Sequence, residues 1–394
     1  MGHLEARQTY TTCANFPLSR GSDIVIRMVP DSIDFSRVRR VLVVKLHNHG
    51  DVLLTSPLFG ALKAHARQLD IDALVYDDTA DMLTFHPAVA AVHVVGRQWR
   101  ALRMLDWWRH EWALLRTLRA RRYDVLINLA DHPRPGLLGR LLRVPVRVAP
   151  QPSHAASWWR RTWSRLAFTH RFPVLADGSR HAVETHLDAL RRTGVQIKSA
   201  DRRLVLVPGV EAESRVDLLM NTHGLATRQF ILFHPTSRRS YKSWTIEQSA
   251  ELIDALRGRG HRVVVTGDAD QFEEAFITST LAKVQTPVVN LAGRLTLKQL
   301  AALTARARLF IGVDSAPMHI AAAMQTPIVA LFGPSSEREW GPWRVPARVL
   351  MSSAHPCRPC GFDGCGGGKV SECMAAIGTM RVMDTVESLL AHPS

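Results

Sequence analysis

Short runs of β-branched and aliphatic residues recur along this chain, each followed by a turn and then by a stretch whose apolar positions have helical spacing. In the first half the runs are "RVLVVKL", "DALVYDD", "VAAVHVV", "YDVLINLA" and "VPVRVAP". In the second half they are "QFILFHP", "HRVVVTGD", "PVVNLAG", "RLFIGVDS" and "PIVALFGP". Between them lie amphipathic segments such as "SPLFGALKAHARQL", "TIEQSAELIDALRGRG" and "TLKQLAALTARA". Runs that are apolar throughout suit strands covered on both faces, and their alternation with helices predicts parallel sheets. Two such series predict two doubly wound α/β domains, residues 39–205 and 206–375, with a loosely structured extension at 1–38 and a C-terminal helix within 376–394. In open parallel sheets ligands bind beyond the carboxyl ends of the strands. The chemistry is therefore expected just after strands, where two such crevices would face a common cleft.

The 394 residues give room for two cores. No window approaches 18 consecutive apolar residues, so no membrane-spanning helix is predicted, and the first 38 residues lack the apolar stretch of a signal peptide, which points to a cytoplasmic protein. Charge changes the picture more. The net charge is +15, but residues 1–205 carry 31 Lys+Arg against 18 Asp+Glu while residues 206–394 carry 19 against 17. A basic first half facing a near-neutral second half suits a polyanionic partner, or else is a solvated basic face. Much of the excess sits in residues 97–122, with eight arginines and four tryptophans, and in "SWWRRTWSRLAFTHR", with three more tryptophans. Basic-aromatic helices of this kind favour an anionic membrane interface. The same residues also fit core tryptophans beneath surface arginines.

Three segments carry candidate chemistry. In "IGVDSAPMHIAAAMQTPIVALFGP" a strand delivers Asp314 and Ser315 to a helix starting near Pro317. Free N–H groups there, with Ser315, would cradle a phosphate, and His319 lies one turn on. Asp314 and Ser315 could equally be caps. In "FILFHPTSRRSYKSW" a strand ends in Thr236 and Ser237, and Lys242 follows as a point charge suited to a diphosphate. In "VVVTGDAD", Gly267 permits a tight turn beside a nucleotide, and Asp268 or Asp270 could accept a ribose hydroxyl or cap the next helix. Asp51, after Gly50 in "LHNHGDVLLTSPLF", stands at the end of the first strand as a helix cap or as a base. Neither a G-x-G-x-x-G after the first strand nor a P-loop is present, which argues against dinucleotide redox and P-loop chemistry.

Taken together, "GDVLLTSP", the Lys242-Ser243-Trp244 loop and "DSAPMHIAAAMQTPIVALFGP" resemble the lipopolysaccharide core heptosyltransferases of glycosyltransferase family 9. The cysteine-rich "HPCRPCGFDGCGGGKVSECM" is similar to the heptosyltransferase III branch. The resemblance implies two Rossmann-like domains in the GT-B arrangement, an ADP-heptose donor held by the second, a lipid A–Kdo–heptose acceptor, and inversion without a required cofactor. It makes Asp51 the general base and Thr236, Ser237 and Lys242 the diphosphate loop. Asp314 becomes the sugar-binding acid, Ser315 and Ala316 the phosphate turn, and His319 the motif histidine. The ribose acid stays open among Asp268, Asp270 and Glu273.

Within enzymes the alternative is a related glycosyltransferase with another nucleotide sugar or acceptor. From another class comes a nucleic-acid-binding protein, which would leave the second-half motifs without purpose and is not favoured as a partner. Cys357, Cys360, Cys365 and Cys373 form C-x2-C-x4-C-x7-C, with Cys13 apart. In a reducing compartment these are either free thiols or ligands of a structural Zn or Fe.

Overall fold

The computed structural model describes residues 32–130, 132–153, 156–175 and 178–391. In the first lobe β1 (Arg40–Val44) leads through α1 (His49–Leu53) and α2 (Ser56–His65) to β2 (Asp70–Tyr76) and β3 (Ala91–Val95). Then come α3 (Met104–Arg121), β4 (Val125–Asn128), α4 (Arg134–Leu141), β5 (Val146–Pro150), α5 (Trp158–Ala167), β6 (His170–Phe172) and α6 (Ala182–Arg191). The second lobe runs α7 (Val210–Thr222), β7 (Phe230–His234), α8 (Ile246–Gly258), β8 (Arg262–Val265), α9 (Gln271–Leu281) and β9 (Val289–Asn290). It continues with α10 (Leu297–Arg306), β10 (Leu309–Val313), α11 (Ala316–Ala323), β11 (Ile328–Phe332), α12 (Glu337–Trp340), β12 (Ala347–Met351), α13 (Glu372–Ala375) and α14 (Thr379–Ala391).

Each lobe is a six-stranded sheet, ordered β3-β2-β1-β4-β5-β6 and β9-β8-β7-β10-β11-β12. Every pair is parallel. Chain order reverses beside β1 and β7, so the crevice of each lobe opens next to the carboxyl end of its first strand. The continuously apolar runs became the central strands: every residue of β7, β10 and β11 is buried. The helices are closed by local chemistry. Thr245 caps α8 through the Gln248 N–H, and Thr296 and Gln299 form a reciprocal capping box on α10.

Two strands lack a matching run in the sequence. β6 is three residues, "HRF", and β12 is an edge strand with one buried residue, Leu350. The expected loose extension is packed at its end: Phe35 and Val38 are buried in the core and Ile33 donates to the Thr193 carbonyl. Residues 1–31, with Cys13, lie outside the described residues. The C-terminal helix appears as α14, which packs on α8, β11 and β12.

The lobes are joined closely. One apolar cluster runs from Val41, Leu58 and Phe59 through Leu204 and Leu206 to Phe310 and Ile320. Polar ties accompany it. The Ser56 hydroxyl accepts from the Val205 N–H at 2.9 Å, Lys298 donates to the carbonyls of Thr84 and Val207, and the His181 ring stacks on Trp343 at 4.2 Å.

A buried polar knot fixes the end of the basic region. Asp72 on β2 has no exposed side-chain surface and accepts from Arg121 at 2.8 and 3.0 Å and from the Tyr123 hydroxyl at 2.7 Å, with His93 at 3.3 Å. Burial acts to raise its pKa, but the hydrogen bonds from His93, Arg121 and Tyr123 prevail and leave it at about 2. A carboxyl depressed on folding contributes stability above its unfolded pKa, and that contribution fades as pH falls through the folded value. Asp72→Asn is expected to cost roughly 3 kcal/mol at neutral pH. In thermal or denaturant unfolding, the gap to the parent should narrow as pH falls from about 4 towards 2. A gap that stays constant with pH would contradict this role.

Candidate active site

The short helix α1 brings Asp51 to the mouth of the first crevice. Its carboxylate is mostly buried and accepts from His47 Nδ1 at 2.7 Å. Beneath it Lys45, the last polar residue of the "VVKL" run, is buried; it donates to the Leu129 carbonyl at 3.0 Å and lies 3.1 Å from His186 Nε2. The other His186 nitrogen, Nδ1, lies 3.1 Å from the Leu54 carbonyl. Burial acts to raise the Asp51 pKa, yet the His47 hydrogen bond and the charges of Lys45, His47 and His186 hold it at about 2. Burial drives Lys45 down, opposed by Asp51, and drives His186 to about 3, reinforced by Lys45. Asp51 is therefore a firmly ionised carboxylate above a buried lysine.

Gly50 serves a purpose other than a glycine-only turn. It is a helical residue of α1 and is absent from the left-handed conformations of the chain. A Cβ there would stand 2.8 Å from His319 Cδ2 and 3.7 Å from Ala316 Cα. The absent side chain lets α1 touch α11 across the lobes. His319 is buried against this contact, and its Nδ1 has no hydrogen-bond partner. Burial lowers its pKa, with Asp314 and Asp51 pulling the other way. Glu339 is raised by burial and by Asp51 and Asp314, so the acids of both lobes share one field.

On the second lobe, Lys242 at the end of a 3-10 turn (Ser240–Lys242) donates to Asp314 at 2.6 Å. Ser315 stands before α11 in extended conformation and makes no side-chain cap, so the Ala316 N–H is left without that partner, while Pro317 has no N–H and the Met318 N–H donates to the Ser315 carbonyl at 3.1 Å. Such a helix start, beside an ammonium, is an anion site. The "TS" pair is more structural than its motif suggests. Thr236 is fully buried and donates its hydroxyl to Glu273 at 2.7 Å, while the Ser237 N–H donates to the Ser243 hydroxyl at 3.1 Å.

Glu273 also accepts from the Asp268 N–H at 2.9 Å, and burial first of all raises its pKa. Asp270 caps α9 through the Phe272 and Glu273 N–H groups. Of the three acids, Asp268 is the exposed one. Gly267 has an ordinary φ, and a Cβ there would meet Ile277 at 3.1 Å, so tight packing accounts for it.

The four cysteines are free thiols in the structure: Cys357 and Cys365 exposed, Cys360 half-buried, Cys373 buried. Among the described residues the group whose ligand atoms lie within 4.8 Å of one another is Asp268, Asp270 and Glu273; the cysteines are not drawn together to that degree. The tryptophans divide. Trp99 and Trp163 pack against the core, whereas Trp108, Trp112, Trp158 and Trp159 are exposed. Helix α3 is tied to α4 by the Arg134–Glu111 pair, and α4 packs on the end of α5 through Gly136 against Ala167 and Phe168. No described helix is long and apolar enough to cross a membrane.

Sequence reasoning missed Lys45, His47 and His186. A lysine closing an apolar strand and a histidine four positions before the acid were the available signals; nothing marked His186 on its amphipathic helix.

Two parallel Rossmann-like lobes, with an acid after the first strand of one facing a lysine and an open helix start on the other, define the GT-B class of glycosyltransferases. The family model for glycosyltransferase family 9 (heptosyltransferase) matches residues 111–370, and the chain belongs to that family. It is 34% identical to lipopolysaccharide heptosyltransferase 3 of Escherichia coli over 75% of this chain and 84% of that protein. Among solved structures it resembles a family 9 glycosyl transferase from Veillonella parvula (TM-score 0.75, 24% identity, 90% of this chain and 97% of that one). It also resembles the ADP-heptose lps heptosyltransferase II of E. coli (TM-score 0.68, 23% identity, 89% and 98%).

Gly50→Ala tests the contact between the lobes. The added methyl must displace a buried ring or part α1 from α11, and a shift of about 1 Å is expected to lower kcat/KM on the order of 100-fold. Circular dichroism should show both lobes still folded. Full activity in the variant would mean that the close approach is dispensable.

Proposed function

We propose that this glycosyltransferase moves heptose from ADP-heptose to the inner core of lipopolysaccharide, as a heptosyltransferase III-like enzyme. The observation that carries the reading is the meeting of Asp51 with the Lys242–Asp314 pair and the α11 start across the Gly50–His319 contact. Lys242 and the helix start would hold the diphosphate and stabilise the charge on the leaving ADP. Asp314 would turn from Lys242 to the sugar hydroxyls, and Asp268 is the acid free for the ribose. Asp51 supplies the basic group on the acceptor side, opposite the departing diphosphate, as inversion requires. The similarity to heptosyltransferase 3 supports this donor and acceptor over another nucleotide sugar.

The exposed tryptophans and arginines of α3–α5 support a second part of the reading, peripheral binding at the anionic inner face of the inner membrane, where a lipid A–Kdo–heptose acceptor would be met. A structural Zn or Fe at Cys357, Cys360, Cys365 and Cys373 rests on residue type and spacing, and would require those loops to close around the ion.

Incubation with ADP-heptose and a defined truncated core acceptor, followed by mass spectrometry, tests the transfer itself; no added heptose would overturn the assignment. Asp51→Ala should abolish turnover while ADP still binds in calorimetric titration, whereas Lys242→Ala should weaken ADP binding and rate together. Near-normal kcat in Asp51→Ala would remove that residue from the chemistry. Co-sedimentation with liposomes should rise with anionic lipid and fall with salt, and should drop when Trp112 and Trp158 are changed to Ala; salt-independent or absent binding would contradict the membrane reading.

A further inference from the structure

Beyond the carboxyl ends of β4 and β5 the first lobe holds a crevice that the chemistry described so far does not use. Asn128 and Ala130 line it after one strand, Pro150 after the next, and Trp159, Trp163 and Ser164 from α5. Two polar atoms of this lining are unanswered. Trp163 Nε1 and Ser164 Oγ are buried and have no hydrogen-bond partner among the described residues, and Ser164 as a whole is only 5% exposed. Nearly all buried polar groups in folded proteins are paired. Two orphans on adjacent residues of one crevice therefore mark a place for an oxygen from outside the chain. The other polar groups of the lining are spent. Asn128 is closed on Ala130, donating to its carbonyl at 2.8 Å and accepting from its N–H at 3.0 Å, and His132 and Arg160 have partners of their own.

The lining narrows the ligand. An indole N–H only donates, whereas a serine hydroxyl donates or accepts, so an alcohol satisfies both. Around them stand apolar walls, Pro133, Pro150 and the half-exposed ring of Trp159, the make-up of a small-molecule site and a fit for the C–H face of a sugar. Size narrows it further. The interior measures about 40 Å³, little more than the share of one liquid water, about 30 Å³, and too small for a pyranose ring. A hydroxyl set directly on a ring would stay at the mouth, while an exocyclic carbinol arm reaches inside.

Position ties the crevice to the reaction. Strand β4 pairs with β1, and the Leu129 carbonyl, between Asn128 and Ala130, is the group that holds Lys45 beneath Asp51. Neighbouring strands lie about 4.8 Å apart, so the ends of β4 and β5 stand roughly 5 and 10 Å from that of β1. That is within the reach of linked sugars.

Resting on the transfer reading above, we infer that this crevice is a specificity subsite for the acceptor: it receives the exocyclic carbinol arm of a pyranose in the acceptor saccharide, held by the Trp163 N–H and the Ser164 hydroxyl, with the ring laid against Trp159. A hydroxyl entering there replaces water bond for bond. The two residues select and orient the acceptor; the proton still goes to Asp51.

The test uses a deacylated truncated core acceptor, so that membrane contact plays no part. The parent is compared with Trp163→Phe, which removes the N–H but keeps an aromatic ring, and Ser164→Ala, which removes only the hydroxyl. Each should raise the acceptor KM about five-fold, with kcat and the calorimetric ADP affinity within about two-fold. An acceptor lacking the exocyclic hydroxyls closes the cycle: the parent should lose about five-fold on it, and the variants should lose nothing further. If Trp163→Phe fails to fold by circular dichroism, Ser164→Ala decides. An unchanged KM in the folded variants would mean that the crevice holds water only, and overturns the inference. Equal losses on the intact and the deoxygenated acceptor would trace to packing, and overturn it too. A parent that transfers no heptose fails the transfer reading and this inference with it. That failure shows in the parent, whereas the inference's own failure shows only in the variants.

Discussion

The site depends on how closely α1 and α11 approach. Each helix starts at the carboxyl end of the first or fourth strand of its sheet, where a doubly wound fold leaves its crevice open. Two such crevices become one site only if the helices beside them touch. The missing Cβ of Gly50, 2.8 Å from the His319 ring, permits that contact. Because Asp51 follows Gly50, and Ser315 and Ala316 precede His319, the same contact fixes the acid of one lobe opposite the open helix start of the other. A residue that binds nothing thus determines the distance between the two halves of the chemistry.

The charges around this contact divide as the reaction would need. On the first lobe the cation lies below the acid: Lys45 is buried, and the cost of burying it is offset by Asp51, by the Leu129 carbonyl and by the ring of His186, which burial keeps neutral against the Leu54 carbonyl. Such a group cannot move, so the field at Asp51 is set before any substrate enters. On the second lobe Lys242 is held by one partner, Asp314, at the edge of the cleft. A diphosphate offers an ammonium more charge than a single carboxylate, so that pair can exchange partners where the buried set cannot. One side is held by several buried partners and the other by a single pair at the cleft edge.

The sequence made the central strands legible because parallel strands covered on both faces carry few polar positions, and β7, β10 and β11 are buried at every residue, His234 at the end of β7 included. Edge strands β6 and β12 gave no such signal, since one is three residues long and the other is half covered. Asp51, Lys242 and Asp314 were proposed by position after a strand, and the fold brings them to one cleft. What composition could not reveal was partnership. Thr236 looked like a phosphate ligand but spends its hydroxyl on Glu273, which in turn pins the turn at Asp268. Gly50 reads in the sequence only as the residue before Asp51, yet its own reason lies 269 positions away at His319. Lys45 and His186 are 141 positions apart and meet only through the sheet.

The basic excess of the first lobe also resolves once partners are known. Lys45 is answered by Asp51, Arg121 by Asp72, and Arg134 by Glu111, while Arg180, Arg191 and Arg202 gather around Glu184 and Asp188. The cleft and the core therefore use little of the surplus. Arg103, Arg109, Arg116 and Arg119 on or beside α3, and Arg161 and Arg165 on α5, are exposed, as are Trp108, Trp112, Trp158 and Trp159 on the same two helices. Exposed indole rings gain nothing from water and contribute little to the fold, and interleaving them with guanidinium groups suits a boundary with an apolar interior and an anionic rim. Under the acceptor proposed above, anchored by acyl chains, such a face would matter more than a deep acceptor pocket, because confinement to a surface would supply much of the encounter.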